Sequence, residues 1–232
     1  MRKETTALYP MRINKYLGLK KISTRRGADE LISEKKVFIN GKLAVLGSKV
    51  NETDNVEVRG AKAVKYAYFA YNKPVGVETD SPKEGLFPLG RLDKASHGLL
   101  ILTNDGRITD QLLNPKYFHE KEYVVRTKEK LRGSFKQKIE SGVNIEGLPA
   151  QAGYLTRPCK VKIIGPNTFK IILTEGKKHQ IRRMCSALFQ EVADLKRERI
   201  MNIKLGSLKE GGLREIKDEE LDTFLKKVLS QS

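Results

Sequence analysis

Apolar positions follow two different rhythms along this chain, and the change comes near residue 60. In the first stretch Ile13, Tyr16 and Leu17 repeat at i, i+3 and i+4, one apolar face of a helix over 12–19. Ser23 stands where an N-cap would open a second helix with Ala28, Leu31 and Ile32 facing inward. Lys20, Lys21, Arg25, Arg26, Lys35 and Lys36 are left outside, so the pair shares a basic surface. Val37-Phe38-Ile39, then Asn40-Gly41, then Lys42-Leu43-Ala44-Val45 is a hairpin signature, because Asn-Gly supplies the two positive φ angles of a type I′ turn. Asp54-Asn55 turns the chain into Val56-Glu57-Val58. The expectation is a polar tail over 1–10, a small α/β module over 11–58 and a linker over 59–65.

Beyond the linker, 66–232 reads as strands at 68–71, 99–102, 123–125, 161–164 and 169–173, interrupted by helices at 107–113, 131–141, 179–189 and 218–229. That mixture predicts an α+β domain on a mixed, largely antiparallel sheet flanked by helices. Ile181, Met184, Cys185 and Leu188 form the buried stripe of one helix, with Arg182 and Arg183 projecting from its first turns.

Composition narrows the chemistry. Hydrophobic residues make up 39% of 232 and charged residues 31%, enough for folded cores. No apolar run approaches the roughly 18–20 residues of a membrane span, and MRKETTALYP lacks a signal-peptide core, so a soluble cytoplasmic protein with no membrane partner is expected. Cys159 and Cys185 have no C-x-x-C spacing, and His97, His119 and His179 are scattered, which gives no basis for a metal site or a disulfide framework. No Gly-rich phosphate loop suggests a nucleotide cofactor. The net charge is +17, which draws polyanions, nucleic acid first. It is spread over both parts, with 15 basic and 7 acidic residues in 1–65 and 30 and 21 in 66–232.

Arg12-Ile13-Asn14-Lys15-Tyr16-Leu17, the run from Ser23 to Ile32 and Val37-Phe38-Ile39-Asn40-Gly41-Lys42 resemble the RNA-binding module of small-subunit ribosomal protein S-four. The resemblance implies RNA contacts from Lys15, Arg25, Arg26, Lys35 and Lys36, whose charges suit backbone phosphates.

The run Gly90-Arg91-Leu92-Asp93-Lys94-Ala95-Ser96-His97-Gly98, continued to Gly106, is a polar loop leading into a buried strand and a tight turn. By spacing alone it reads as a structural loop. As a pattern it resembles the active-site motif of RNA pseudouridine synthases of the ribosomal RsuA/RluF type. Asn72-Lys73-Pro74-Val75-Gly76, His119-Glu120-Lys121-Glu122-Tyr123 and Glu175 to Met184 follow in the same order as in that family.

The resemblance implies isomerisation of a uridine inside RNA, without a cofactor and with the base turned out of its stack. Asp93 becomes the catalytic aspartate, which must be ionised. Arg182 becomes its basic partner, and Tyr123 an aromatic platform for the uracil that helps remove its C5 proton. Arg91 becomes the arginine that fills the vacated space. Lys73 and Arg183 are expected to bind RNA, while Ser96, Asn104 and Asp105 shape the loop. The 182–185 and 197–202 stretches look most like the large-subunit synthase F type, making 23S rRNA the favoured substrate, with a tRNA anticodon loop or 16S rRNA as alternatives. A non-catalytic ribosome-assembly factor on the same fold is the other reading, and a bacterial, monomeric protein is expected.

Overall fold

The computed structural model describes residues 9–20, 22–60, 65–145 and 153–230; Lys21, positions 1–8 of the expected tail and 61–64 of the expected linker lie outside them. The described residues group into two compact units. One runs to Ala67 and includes Asn104–Thr109; the other comprises Tyr68–Thr103 and the residues from Asp110 onward.

In the first unit, β1 (Met11–Arg12) leads into α1 (Ile13–Leu19), followed by α2 (Arg25–Ser33), β2 (Val37–Ile39), β3 (Lys42–Leu43), β4 (Lys49–Val50) and β5 (Val56–Val58). The cap of α2 is Thr24 rather than Ser23: its Oγ1 accepts from the Gly27 amide at 3.0 Å, while Ser23 is buried. Asn40 and Gly41 both have positive φ, 50° and 76°, as the hairpin between β2 and β3 requires. β5 pairs with the other edge of β2. Ile13, Leu17, Ala28, Ile32 and Val37 close the core, so the apolar stripes of both helices pack on the hairpin. Lys15, Arg25, Arg26 and Lys35 are exposed, and Lys36 lies 2.6 Å from Glu34.

The second unit contains β6 (Tyr68–Lys73), β7 (Phe87–Pro88), β8 (His97–Thr103), α3 (Thr109–Leu113), β9 (Lys121–Thr127), α4 (Phe135–Glu140), β10 (Asn144–Ile145), β11 (Tyr154–Leu155), β12 (Lys160–Gly165) and β13 (Thr168–Leu173). It continues through α5 (Gln180–Ala187), β14 (Val192–Ile200), β15 (Ile203–Lys204), β16 (Leu213–Glu215) and α6 (Asp218–Leu229). Among the described residues the main sheet runs β12-β13-β9-β14-β8-β6-β16, with β15 beside β14 and β7 beside β8. Its neighbours are antiparallel except β14 and β8, which are parallel. The long strand β14 is therefore the seam between two antiparallel halves.

α5 packs Met184 and Cys185 against Val125, Phe169 and Leu195 of the sheet, the stripe its spacing predicts. α6 carries Asp218, Glu219 and Glu220 in its first turn and Lys226 and Lys227 in its last, which complements the helix dipole at both ends.

Candidate active site

The turn entering β8 is held at every backbone carbonyl from Arg91 to Ala95. Arg197 Nη1 donates to Arg91 O at 3.3 Å, and Thr79 Oγ1 both donates to Leu92 O and accepts from Leu92 N. Ser96 N donates to Asp93 O at 2.9 Å, and Gly76 N to Lys94 O at 2.8 Å. Arg182 Nη2 donates to Ala95 O at 2.8 Å. A loop whose carbonyls are all engaged has little freedom left, so the half-buried Asp93 carboxylate is presented in a fixed place.

Arg182 departs from the expectation of a direct pair with Asp93. Its Nη1 donates to Val192 O at 3.1 Å and its Nη2 to Ala95 O, with Ser96 Oγ at 3.5 Å. The guanidinium fork is occupied by carbonyls, so it ties α5 to the aspartate loop and β14. The side chain facing the carboxylate is the imidazole of His179, whose Nε2 lies 3.4 Å from Asp93 Oδ1. His179 sits in the left-handed region at φ 53° as the residue before α5, and this backbone conformation brings it to the loop. No motif spacing marks that conformation, so His179 carries no role by sequence alone.

Lys73, expected to bind RNA, cannot do so: it is fully buried at the end of β6, and its Nζ donates to Pro74 O and Val77 O, both at 2.7 Å. Burial pushes its ammonium below the usual lysine range, while Glu78 and Asp93 pull it back up. Lys73 thus braces the segment that carries Gly76 and Thr79, two of the anchors of the aspartate loop. The sequence signal for this is its place at the end of an apolar strand.

Tyr123 is partly buried on β9, packed at the edge of the core. Arg197 connects it to the aspartate loop: the guanidinium lies 6.0 Å from the Tyr123 ring and also bonds Leu99 O at 2.7 Å. Arg91 is exposed and Arg183 half-buried. His97 pairs with Asp194 at 3.1 Å. Burial pushes the thiols of Cys185 and Cys159 up to about 12, which leaves them as packing groups rather than nucleophiles. Asp105 caps the following turn and holds the Arg107 side chain at 2.6 and 2.7 Å, a loop-shaping part as expected. Among the described residues no cluster of His, Cys, Asp and Glu could hold a metal.

A fixed carboxylate, a tyrosine ring and several cations can bind and rearrange a group that gains negative charge during reaction. The comparisons with known proteins agree on its family. Residues 67–187 match RNA pseudouridylate synthase and residues 11–56 match the S4 domain. The chain is 37% identical over 240 residues to the dual-specificity RNA pseudouridine synthase RluF of Escherichia coli (strain K12), covering 96% of this chain and 81% of that one. It is 35% identical over 231 residues to the ribosomal large subunit pseudouridine synthase B of Bacillus subtilis (strain 168), covering 90% and 93%. A crystal structure of a pseudouridylate synthase superposes with a TM-score of 0.67 at 26% identity, covering 94% of this chain and all of that one. With its pinned aspartate loop and matched catalytic and S4 segments, the chain belongs to the RNA pseudouridine synthases and is an enzyme that isomerises uridine in RNA.

Proposed function

We propose that this enzyme converts a specific uridine of structured ribosomal RNA to pseudouridine, with 23S rRNA the favoured substrate. A tRNA anticodon loop and 16S rRNA are the alternatives. The observation that carries the reading is Asp93 on a loop anchored at each carbonyl from Arg91 to Ala95. Asp93 acts at the ribose beside the breaking bond, and Tyr123 stacks on the extruded uracil, an interaction worth about 1–3 kcal/mol per base. Arg182 holds the loop against α5, and Arg91 enters the space the base leaves. Lys15, Arg25, Arg26, Lys35, Lys36 and Arg183 contact phosphates. Two relatives support the choice of RNA, since one is named for the large ribosomal subunit and the other for dual specificity. The division at residues 11–58 and 66–232 assigns RNA capture to the first part and chemistry to the second. A cytoplasmic monomer fits a substrate that is itself ribosomal RNA or tRNA, and among the described residues no helix is long and apolar enough to cross a membrane.

The test is to incubate the protein with unmodified 23S, 16S and tRNA transcripts and map pseudouridine by carbodiimide-dependent reverse-transcription stops. A stop at one 23S uridine, absent with Asp93→Asn, is the expected result. A stop that survives the substitution removes Asp93 from its role, and a stop in another RNA changes the substrate but not the chemistry.

A further inference from the structure

Charge is arranged differently on the two faces of the sheet around β9 and β14. On one face acids and bases compensate each other: Lys170 Nζ is 2.8 Å from Glu198 and 3.4 Å from Glu122, and Arg199 bonds Glu122 at 2.8 Å and Glu120 at 3.0 Å. On the Tyr123 face Lys121 and Arg197 have no acidic partner among the described residues. Arg197 is 3% exposed; Nε and Nη1 serve the Leu99 and Arg91 carbonyls, and Nη2 is buried without a partner. Lys121 precedes Tyr123 by two residues on the same strand, which places both on one face. Lys121 Nζ has no hydrogen bond or ion pair with a described residue, and burial and repulsion from Arg197 push its pKa down to about 8. His119, 6% exposed, has a buried Nε2 with no partner, and burial together with the Lys121 charge favours its neutral form.

A buried guanidinium and a half-buried ammonium without a counter-charge are a cost to the folded protein, and one that an arriving anion would offset. We propose that Lys121 and Arg197 form an anion subsite that stabilises negative charge on the uracil once its bond to ribose has broken. This rests on the reading that the uracil stacks on Tyr123. When C1′–N1 breaks, the electron pair goes to the ring and spreads over N1 and the carbonyl oxygens. Joining C5 to C1′ draws the pair back, the C5 proton is lost and N1 gains one, so atoms and electrons balance without an outside reactant. The two cations stay protonated throughout and act only by their charge. The other anion at hand is a backbone phosphate, but phosphates run along the RNA surface, within reach of exposed Arg91. A planar base lying on Tyr123 comes instead under the field of the Arg197 guanidinium, which sits 6.0 Å from that ring, without having to touch it.

The experiment uses full-length wild type, Lys121→Met, Lys121→Arg and Asp93→Asn on the RNA identified by mapping, with single-turnover rates, affinity across a salt series and urea unfolding. Lys121→Met should slow the reaction about 100-fold with affinity and salt slope unchanged, and Lys121→Arg should restore much of the rate. Stability of Lys121→Met should hold or rise, because an uncompensated charge has been removed. A normal rate, a loss of affinity with a shallower salt slope, or a loss of rate that only follows loss of folded protein would each overturn the proposal. Activity surviving in Asp93→Asn would instead overturn the reading of the site on which it rests.

Discussion

At the scale of single residues the proposed site separates groups assigned to meet substrate from groups that hold the loop in place. Asp93 stands out in the sequence only through the family resemblance of its motif, since by spacing alone the run reads as a structural loop. The geometry around it was less legible, since hydrogen bonds between α5, β6 and the loop join residues far apart in the chain. That is why Arg182 was expected on the carboxylate and is found on carbonyls, and why His179, whose place depends on one left-handed residue, went unmarked. Lys73 gives the sharpest test of the division. Lys73→Met removes both of its hydrogen bonds and leaves the carbonyls of Pro74 and Val77 without their donor. Unfolding in urea should show a loss of about 2–3 kcal/mol. The salt dependence of RNA binding should not change, because a fully buried ammonium releases no counterion on binding. A shallower slope in this variant would return Lys73 to the RNA interface.

At the scale of elements, apolar strands and helices with a clear stripe were readable. The helix expected over 218–229 is α6 (Asp218–Leu229), and the strand expected over 169–173 is β13 with one more residue. The helix expected over 131–141 shortens to Phe135–Glu140, since Gly133 and Ser134 stand before its first buried residue. β14 escaped the reading entirely. Val-Ala-Asp-Leu-Lys-Arg-Glu-Arg-Ile carries five charges in nine residues, and only tertiary pairing shows that those charges serve an ion network on one face and Arg197 on the other. The parallel seam between β14 and β8 is tight at Gly98, which has φ +101° and faces Arg197 in the register. A Cβ there would lie 2.4 Å from Arg197 O and 2.8 Å from Arg197 N, both backbone atoms that cannot swing away. Gly98→Ala should therefore cost about 2–3 kcal/mol in urea unfolding. Because Arg197 also holds Arg91 O, turnover should fall further than the lost folded fraction explains. Wild-type stability in this variant would mean that the seam is looser than its register implies.

At the scale of the whole molecule, a net charge of +17 signalled a polyanion before any motif did, and its distribution signalled that both parts take a share. What charge counting could not reveal is which cations are free to bind. In the second part Lys170, Arg199 and Arg214 are committed to Glu198, Glu122 and Glu220, and Lys73 is buried, so many of its basic residues stabilise the fold instead of reaching outward. In the S4 segment Lys15, Arg25 and Arg26 are exposed, and none is ion-paired to a described acid, whereas Lys36 is held by Glu34. Replacing Lys15, Arg25 and Arg26 together by Gln should leave α1 and α2 intact, because the buried face of Ile13, Leu17, Ala28 and Ile32 is untouched. Every phosphate that is no longer neutralised should lower the slope of log affinity against log salt by about 0.7 to 0.9. A triple variant is thus expected to bind several-fold to many-fold more weakly at low salt and to show a slope shallower by up to about two to three units. Its rate on bound RNA should stay near wild type, since these residues lie outside the aspartate loop. Filter binding over a salt series, paired with single-turnover rates at saturating enzyme, separates the two effects. An unchanged slope would mean that the S4 helices meet something other than phosphates, and a lost rate at saturation would mean that they help to shape the substrate as well as to hold it.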